Sequence, residues 1–543
     1  MKKIYSLLLL GAFVLSVPIV NAQNKIPEEY DRSSITWVLL VKDSERLSQK
    51  QIDEFHKIAF SEKFYDNSLD YKVMRMPNGV KDVQSFVTKK LNEEKIAHKI
   101  IAKWYNRQDD GTLNQGLIHE RGMYNAIDED VIKASNSKRG NAELEDYGNR
   151  LINKSYIFVL DYYKIKTAKE LSKKDYHGWK GYHNSYLFQV DFNEDAQYTL
   201  YDNAWIYGDD TPEVKAKKRD SYFELNFPLK FIGHKNGTLD ATQANPSTTL
   251  GKFIKQKTNE ELFTEMIQKG HDNTVFLVSK DYEAFRVKTT LKSKKPLTAK
   301  IGKKEDLKVD QRFFVYEYRY NEKKNETYQK RKGVVRVKKV ADNRQVATGN
   351  SKASNFYQTA GYSLDEGMLL QQRLDWGILA YAGYEVGEIG GANFQLAYRV
   401  GSQVGIPALY AYGELGIDSK PYNSNYSFDT DFAFARYNVG LAKGFYFAKN
   451  FELLVNGAYG IENHTGSDMV TTDMVYLRTY FVKFGGTLAM NLLHNFQIFG
   501  SYNIYAPFGT VFDANDKPYT QTWTDLFPGR SGGSLGFGAR VMF

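Results

Sequence analysis

Residues Ser534 to Phe543 read SLGFGARVMF. Extended as a strand, the segment sends Leu535, Phe537, Ala539, Val541 and Phe543 to one face and Ser534, Gly536, Gly538 and Arg540 to the other, because successive side chains in a strand alternate sides. An apolar face for lipid, a small-or-polar face for a packed lumen and a terminal aromatic are what the closing strand of an outer-membrane β-barrel requires. Eight such segments are expected, at approximately 375–386, 392–401, 407–418, 431–445, 450–461, 476–490, 494–506 and 533–543. They predict an eight-stranded antiparallel transmembrane β-barrel over 375–543. Lipid-facing sets include Phe394, Leu396, Tyr398 and Val400; Leu409, Ala411, Leu415 and Ile417; and Phe451, Leu453, Val455 and Tyr459.

Short connections at 402–406, 446–449 and 491–493 alternate with longer polar loops at 419–430, 462–475 and 507–532. In such barrels short turns face the periplasm and long loops face outward. An even strand number brings both ends of the barrel to one side, so the region preceding it is expected in the periplasm. The inward face carries Glu385, Arg399, Glu414, Arg436, Glu452, Lys483 and Arg540, with sign alternating along the first six strands. Eight strands enclose a space that side chains just fill, and charges buried there are tolerable only when paired and hydrogen-bonded. A plugged lumen is expected, its charges paired between neighbouring strands, so that neutralising Arg399 or Glu414 destabilises the barrel.

At the other end Lys2 and Lys3 precede the apolar run Leu7 to Val20 and a small-residue site at Val20-Asn21-Ala22, the pattern of a secretory signal peptide over 1–22. No later segment has the roughly 18 apolar residues of a spanning helix. Cysteine is absent, which excludes lipobox acylation, disulfides and thiolate chemistry. The formal charge of +9 is uneven: from Asp375 onward 10 Lys and Arg meet 14 Asp and Glu, giving −4 against +13 before it. A basic soluble part suits peptidoglycan carboxylates, anionic outer-membrane lipid or an acidic periplasmic protein as partner. No nucleic-acid recognition motif occurs.

Residues 23–292 alternate helical and strand-like patterns and predict a periplasmic α+β domain. Ser34–Leu40 reads as a buried strand, 82–105 as a helix, 125–134 and 141–152 as amphipathic helices, then 155–160, 183–192 and 221–231 as strands, about 257–269 as a helix and 283–291 as strand-like. The order of helix 141–152, LINKSYIFVLDYYKI and YHNSYLFQVDF is similar to the core of periplasmic modules of the CsgG and TolB amino-terminal kind. Over 293–374, a Val309-Asp310-Gln311 turn leads into Phe313–Tyr318, a basic hairpin, Gly333–Val340 and a Gly361–Gly367 turn. Short hairpin-linked strands of this kind build an SH3-like small β-barrel. The pattern resembles the carboxy-terminal domain of the FlgT family, with Asp310 where that family's turn has glycine; the resemblance implies periplasmic assembly or wall-proximal scaffolding. Arg121 to Leu160 carries a resemblance of the whole chain to an uncharacterised Bacteroidetes-type outer-membrane β-barrel family with a periplasmic region.

No catalytic, cofactor-binding or metal residue is assigned. His177 and His183, six apart beside Asp175, read as loop residues of a Tyr- and Gly-rich hairpin; Asp128, Glu129 and Asp130 read as a helix start favoured by the helix dipole. Neither a phosphate-binding Gly loop nor a nucleophile elbow occurs. In the barrel, His464 is expected in an outer loop and His494 in a periplasmic turn, at opposite ends; Asp429, Asp431, Asp468, Asp473, Asp513, Asp516 and Asp525 read as solvated loop charges. Trp376, Tyr398, Tyr437, Phe445, Tyr446, Tyr502 and Tyr505 are expected in the interfacial girdles, and Trp523 and Tyr519 are the residues on which an outer loop would bind carbohydrate. Lys323, Lys324, Lys330, Arg331 and Lys332 form a candidate partner-contact hairpin. These residues favour a non-enzymatic outer-membrane protein that anchors a basic periplasmic module for envelope organisation or assembly. A transport or channel component with ligand-binding outer loops, and a surface barrel enzyme, are the alternatives.

Overall fold

The computed structural model describes residues 33–45, 47–58, 61, 63–116, 118, 151–249, 251–321, 323, 326–344, 352–421, 431–467 and 474–543. The expected signal peptide, the helix at 125–134, most of that at 141–152, the run Asp128–Asp130, Lys324, Asp429, Asp468 and Asp473 lie outside them.

The first strand, β1 (Ser34–Lys42), is SITWVLLVK and is buried almost throughout. Apolar residues on both of its faces suit a central position between two helical layers. β1 pairs in parallel with β2 (Tyr65–Asp66), β3 (Val73–Met76) and β4 (Ser155–Thr167). β4 continues antiparallel into β5 (Tyr176–Val190) and β6 (Leu229–Ala244). Ile52 and Phe55 of α1 (Gln49–His56) pack on one face. Val87 and Leu91 of α2 (Val83–Glu93) and Ile100, Ile101 and Trp104 of α3 (Ile96–Trp104) pack on the other. The region is α+β with a mixed sheet.

Three expectations are corrected here. The single helix over 82–105 is two, broken where Lys95 takes φ 52°. The expected strand 221–231 is instead the end of α5 (Pro212–Ser221), which follows α4 (Glu194–Asn203), then a 3-10 turn at Tyr222–Glu224; β6 begins only at Leu229. Pro228 lacks the N–H that a ladder needs, so the alternation Phe223, Leu225, Phe227 does not form a strand. The stretch 283–291 holds a 3-10 turn, Glu283–Phe285, and the three-residue strand β7 (Lys288–Thr290).

The helix expected at 257–269 is α6, Asn259–Asp281, opened by a Thr258–Glu261 capping box. It passes through Gly270 because Tyr162 packs there: a Cβ on Gly270 would stand 2.8 Å from the ring. Near its far end Phe276 packs on Trp376, with ring centroids 4.9 Å apart.

β7 enters a second sheet with β8 (Ser293–Lys294), β9 (Leu297–Ala299), β10 (Arg312–Asn321), β11 (Glu326–Lys339), β12 (Ser354–Gly361) and β13 (Leu369–Gln372), in the order β7-β13-β10-β11-β12-β9-β8. Phe313, Val315, Val335, Val337, Phe356 and Leu370 fill its core. The turn before β10 places Asp310 at φ 67°. This left-handed conformation is one that aspartate tolerates better than most non-glycine residues.

Eight strands then close antiparallel: β14 (Ile378–Gly387), β15 (Gly391–Arg399), β16 (Leu409–Pro421), β17 (Asp431–Ala448), β18 (Phe451–Ser467), β19 (Met474–Asn491), β20 (Phe496–Asp513) and β21 (Gly532–Met542). β21 pairs with both β20 and β14, which leaves no edge. In β21, Leu535 and Phe537 are 59% and 58% exposed while Ser534 and Arg540 are each 1% exposed. Phe394, Leu396, Val439, Val455, Phe484 and Ile504 continue the outward apolar belt. This is an outer-membrane-type barrel. No helix among the described residues is long and apolar enough to cross a membrane; the strands do so. Several strands run longer than expected: β18 extends to Ser467 and β20 to Asp513, into stretches read as loops.

Candidate functional site: a charged lumen closed at both ends

All seven inward charges are buried. Six of them pair across the lumen instead of between neighbouring strands, which corrects the expectation, while Arg399 lies over the Tyr410 ring. Nearest the chain termini, Arg540 Nη2 on β21 meets Glu452 Oε2 on β18 at 2.5 Å. Tyr410 donates to the other Glu452 oxygen at 2.9 Å, and Arg540 also reaches Gln497 and Tyr381. In the middle, Lys483 on β19 donates to both Glu414 oxygens on β16, at 2.6 and 2.8 Å. Above it Arg436 on β17 meets Glu385 on β14 at 3.2 Å, and Tyr505 donates to both Glu385 oxygens at 2.9 Å. Adjacent strands are displaced along one another in a closed barrel, so opposite charges at one height sit three strands apart. The cavity left between Glu414, Lys483, Asn393 and Asn456 has a volume of about 50 Å³, room for roughly three to five waters.

The far end, here the crown, carries a cluster that sequence reasoning missed. Arg530 donates to Asp418 at 2.6 Å, pairs with Glu462 and stacks on Phe434, its Cζ 4.0 Å from the ring centroid. Trp523 on the short helix α8 (Trp523–Leu526; α7 is Gly401–Val404) donates its indole N–H to Glu462 at 3.0 Å. With Leu526 and Phe527, Trp523 packs onto Phe434, Leu477 and Val511, so the β20–β21 loop folds into the mouth as a lid. Trp523 is buried and cannot offer a ring to carbohydrate, and Tyr519 packs against the same cluster. His464, expected in a loop, is buried in β18 against Phe434 and Phe527. Asp516 pairs with Arg478, and Asp525 accepts from Thr522 as part of the α8 cap. Tyr505 and Tyr446 turn inward; Phe445 and Tyr446 are consecutive and so cannot share the lipid face.

The other end, the base, carries the short turns and both barrel termini: Trp376 N–H donates to Phe543 O at 3.0 Å. The second sheet seats against all three turns. Asp310 projects its carboxylate into the β15–β16 turn, where both oxygens accept the Ala408 N–H at 2.9 Å and one accepts Tyr357 Oη at 2.7 Å. Gly361 N–H donates to Asn450 in the β17–β18 turn at 2.7 Å, and Phe314 packs on His494 in the β19–β20 turn. Tyr357, from β12, packs its ring at a tilt on Tyr446 in the barrel floor and accepts from Arg399 at 3.4 Å. Behind it Arg336 and Arg312 share Asp375. Burial raises the Asp375 carboxyl, but these two guanidiniums outweigh it and hold the group down at about 2. A Cβ on Gly401 would fall 2.2 Å from the Asp310 carboxylate. Gly401→Ala is therefore expected to cost about 1–3 kcal/mol of overpacking, read as earlier trypsin cleavage after Arg373 along a urea series.

His177 and His183 both lie on β5 and do not converge: His177 bonds Asn245 and Lys257 O, His183 bonds Asn273. Among the described residues no three His, Cys, Asp or Glu side chains are grouped to hold a metal. Of the basic hairpin, Lys323, Lys330 and Arg331 are exposed and Lys332 is half-buried near Glu317.

No family model matches the chain, and no curated protein matches it. Among solved structures the barrel is similar to a major outer membrane protein from Thermus thermophilus (10% identity, 31% of this chain and 98% of that one, TM-score 0.23). It is also similar to Ail, the attachment invasion locus protein of Yersinia pestis (15%, 31% and 95%, 0.20), and to Neisserial surface protein A (14%, 31% and 94%, 0.20).

Proposed function

We propose that the chain is a non-enzymatic outer-membrane protein whose sealed barrel anchors the two preceding sheets in the periplasm for envelope organisation or assembly. The observation that carries this reading is the base: all three short turns of the barrel are engaged by the second sheet, through Ala408, Asn450 and His494. A barrel stoppered below by Asp310 and Tyr357 and above by Arg530 and Trp523 suits a fixed mount better than a conduit. Short turns at that end support a periplasmic placement, since in such barrels the long loops face outward. The basic front part then faces peptidoglycan or a periplasmic protein partner.

Purified full-length protein in planar bilayers is expected to show no steady conductance above that of protein-free membranes. Regular open-channel steps would favour the transport reading instead. Crosslinking in cells from Lys330 should capture wall fragments or periplasmic proteins; recovery of extracellular ligands alone would reverse the orientation.

A further inference from the structure

Beside the barrel base, below the turn joining β19 to β20, three guanidinium groups surround one ring. The Cζ atoms of Arg331, Arg312 and Arg373 stand 5.0, 5.5 and 5.9 Å from the centroid of Phe314. The same ring meets His494 edge-on, at 5.2 Å. Among the described residues the carboxylate ion-paired to this cluster is Asp375, 3.5 Å from Arg312 and already shared with Arg336. Arg331 and Arg373 have no ion-pair partner among the described residues; Arg331 is exposed, and Arg373 keeps a buried Nε with no acceptor. The surplus is felt nearby, where burial and then Arg373 hold the Arg286 guanidinium down at about 10.

Like charges gathered in one place repel, and a buried guanidinium N–H without an acceptor costs free energy. Both penalties are relieved by an anion. The rim next to the cluster indicates which kind: Leu492 and Leu493 in the turn are 48% and 51% exposed, and Trp376 and Phe543 stand outward at the same end of the barrel. These positions continue the belt that meets acyl chains, so the arginines lie at headgroup depth. Arginine forks match phosphate oxygens in pairs, and stacking on Phe314 holds the forks in place.

We propose that Arg331 and Arg373, with Arg312 behind them, bind the phosphate of an anionic phospholipid in the leaflet at the barrel base, whose acyl chains lie along Leu492 and Leu493. The inference rests on the barrel being embedded in a bilayer. It adds a lipid-specific contact by which the soluble part is held against the membrane plane.

The test uses full-length protein in nanodiscs of phosphatidylcholine with phosphatidylglycerol mixed in, followed by native mass spectrometry of the lipid retained on release. The native chain should retain phosphatidylglycerol over phosphatidylcholine by about tenfold or more, the scale of one charge-assisted contact. The pair R331A/R373A should retain the two lipids equally, and R331K/R373K should fall between. Equal retention by the native chain, or an undiminished preference in R331A/R373A, would overturn the proposal. So would displacement by inorganic phosphate, which would mark a site for soluble anions. Failure of the bilayer reading itself shows separately, as protein that does not enter nanodiscs and whose gel mobility does not change on heating.

Discussion

Taking the protein from about pH 7.5 to about pH 5 should remove roughly 6 kcal/mol of stability from the front sheet, about 2 kcal/mol for each of three buried histidines. His98, His183 and His271 are each held at about 4, below the ordinary 6.5, by burial above all. His98 bonds Leu225 O among Tyr222, Phe223 and Phe227; His183 faces Asn273 with His234 nearby; His271 sits among Trp37, Phe55 and Tyr162. Each folded-state pKa is depressed, so between about 6.5 and 4 the unfolded chain binds more protons than the folded one. Stability is therefore full above pH 6.5 and declines as the pH falls through that window. Urea titrations followed by circular dichroism at the two pH values would measure it, with His271→Gln reducing the pH dependence by about a third. A front sheet that unfolds at the same urea concentration at both pH values would show that these imidazoles are not held neutral.

The second large effect belongs to the lumen. Arg540→Ala leaves Glu452 fully buried without its direct ion-pair partner, with neutral donors such as Tyr410 and Gln497 beside it, and breaking one side of a buried pair costs about 3–5 kcal/mol. The expected readout is a clear fall in the temperature at which the folded and heat-unfolded gel forms interconvert. Joining Arg540→Met to Glu452→Leu should restore most of the loss, because the desolvation cost of the remaining charge disappears with it. A single variant as heat-resistant as the native chain would show that water reaches Glu452 and that the lumen is wetter than its packing indicates.

The barrel was readable because lipid outside and polar packing inside impose a period of two on every strand, and all seven inward charges lie inside. Who pairs with whom was not readable. Arg436 finds Glu385 three strands away, a relation set by the stagger of the closed sheet and invisible along the chain. Arg530 is not legible as a lumen residue because it stands in a stretch rich in Thr, Asp, Pro and Gly that reads as a solvated loop. The signal was the run Trp523, Leu526, Phe527, whose apolar side chains have no reason to be in a loop unless it folds back. Asp310 stands where the FlgT-like turn has glycine. Its use could not be read: the left-handed backbone that glycine would adopt also aims a carboxylate at Ala408. In the front region the misread strand at 221–231 shows alternation outvoted by one missing N–H, at Pro228.

Helix α6 also fixes a length. It runs from Asn259, which accepts the Trp179 indole N–H beside the β4–β5 hairpin, to Phe276 on Trp376. At 1.5 Å per residue these points are about 26 Å apart along its axis. The β4–β5 hairpin is thus held at a set distance from Trp376, next to the first barrel strand, by a count of helical turns and not by loop composition.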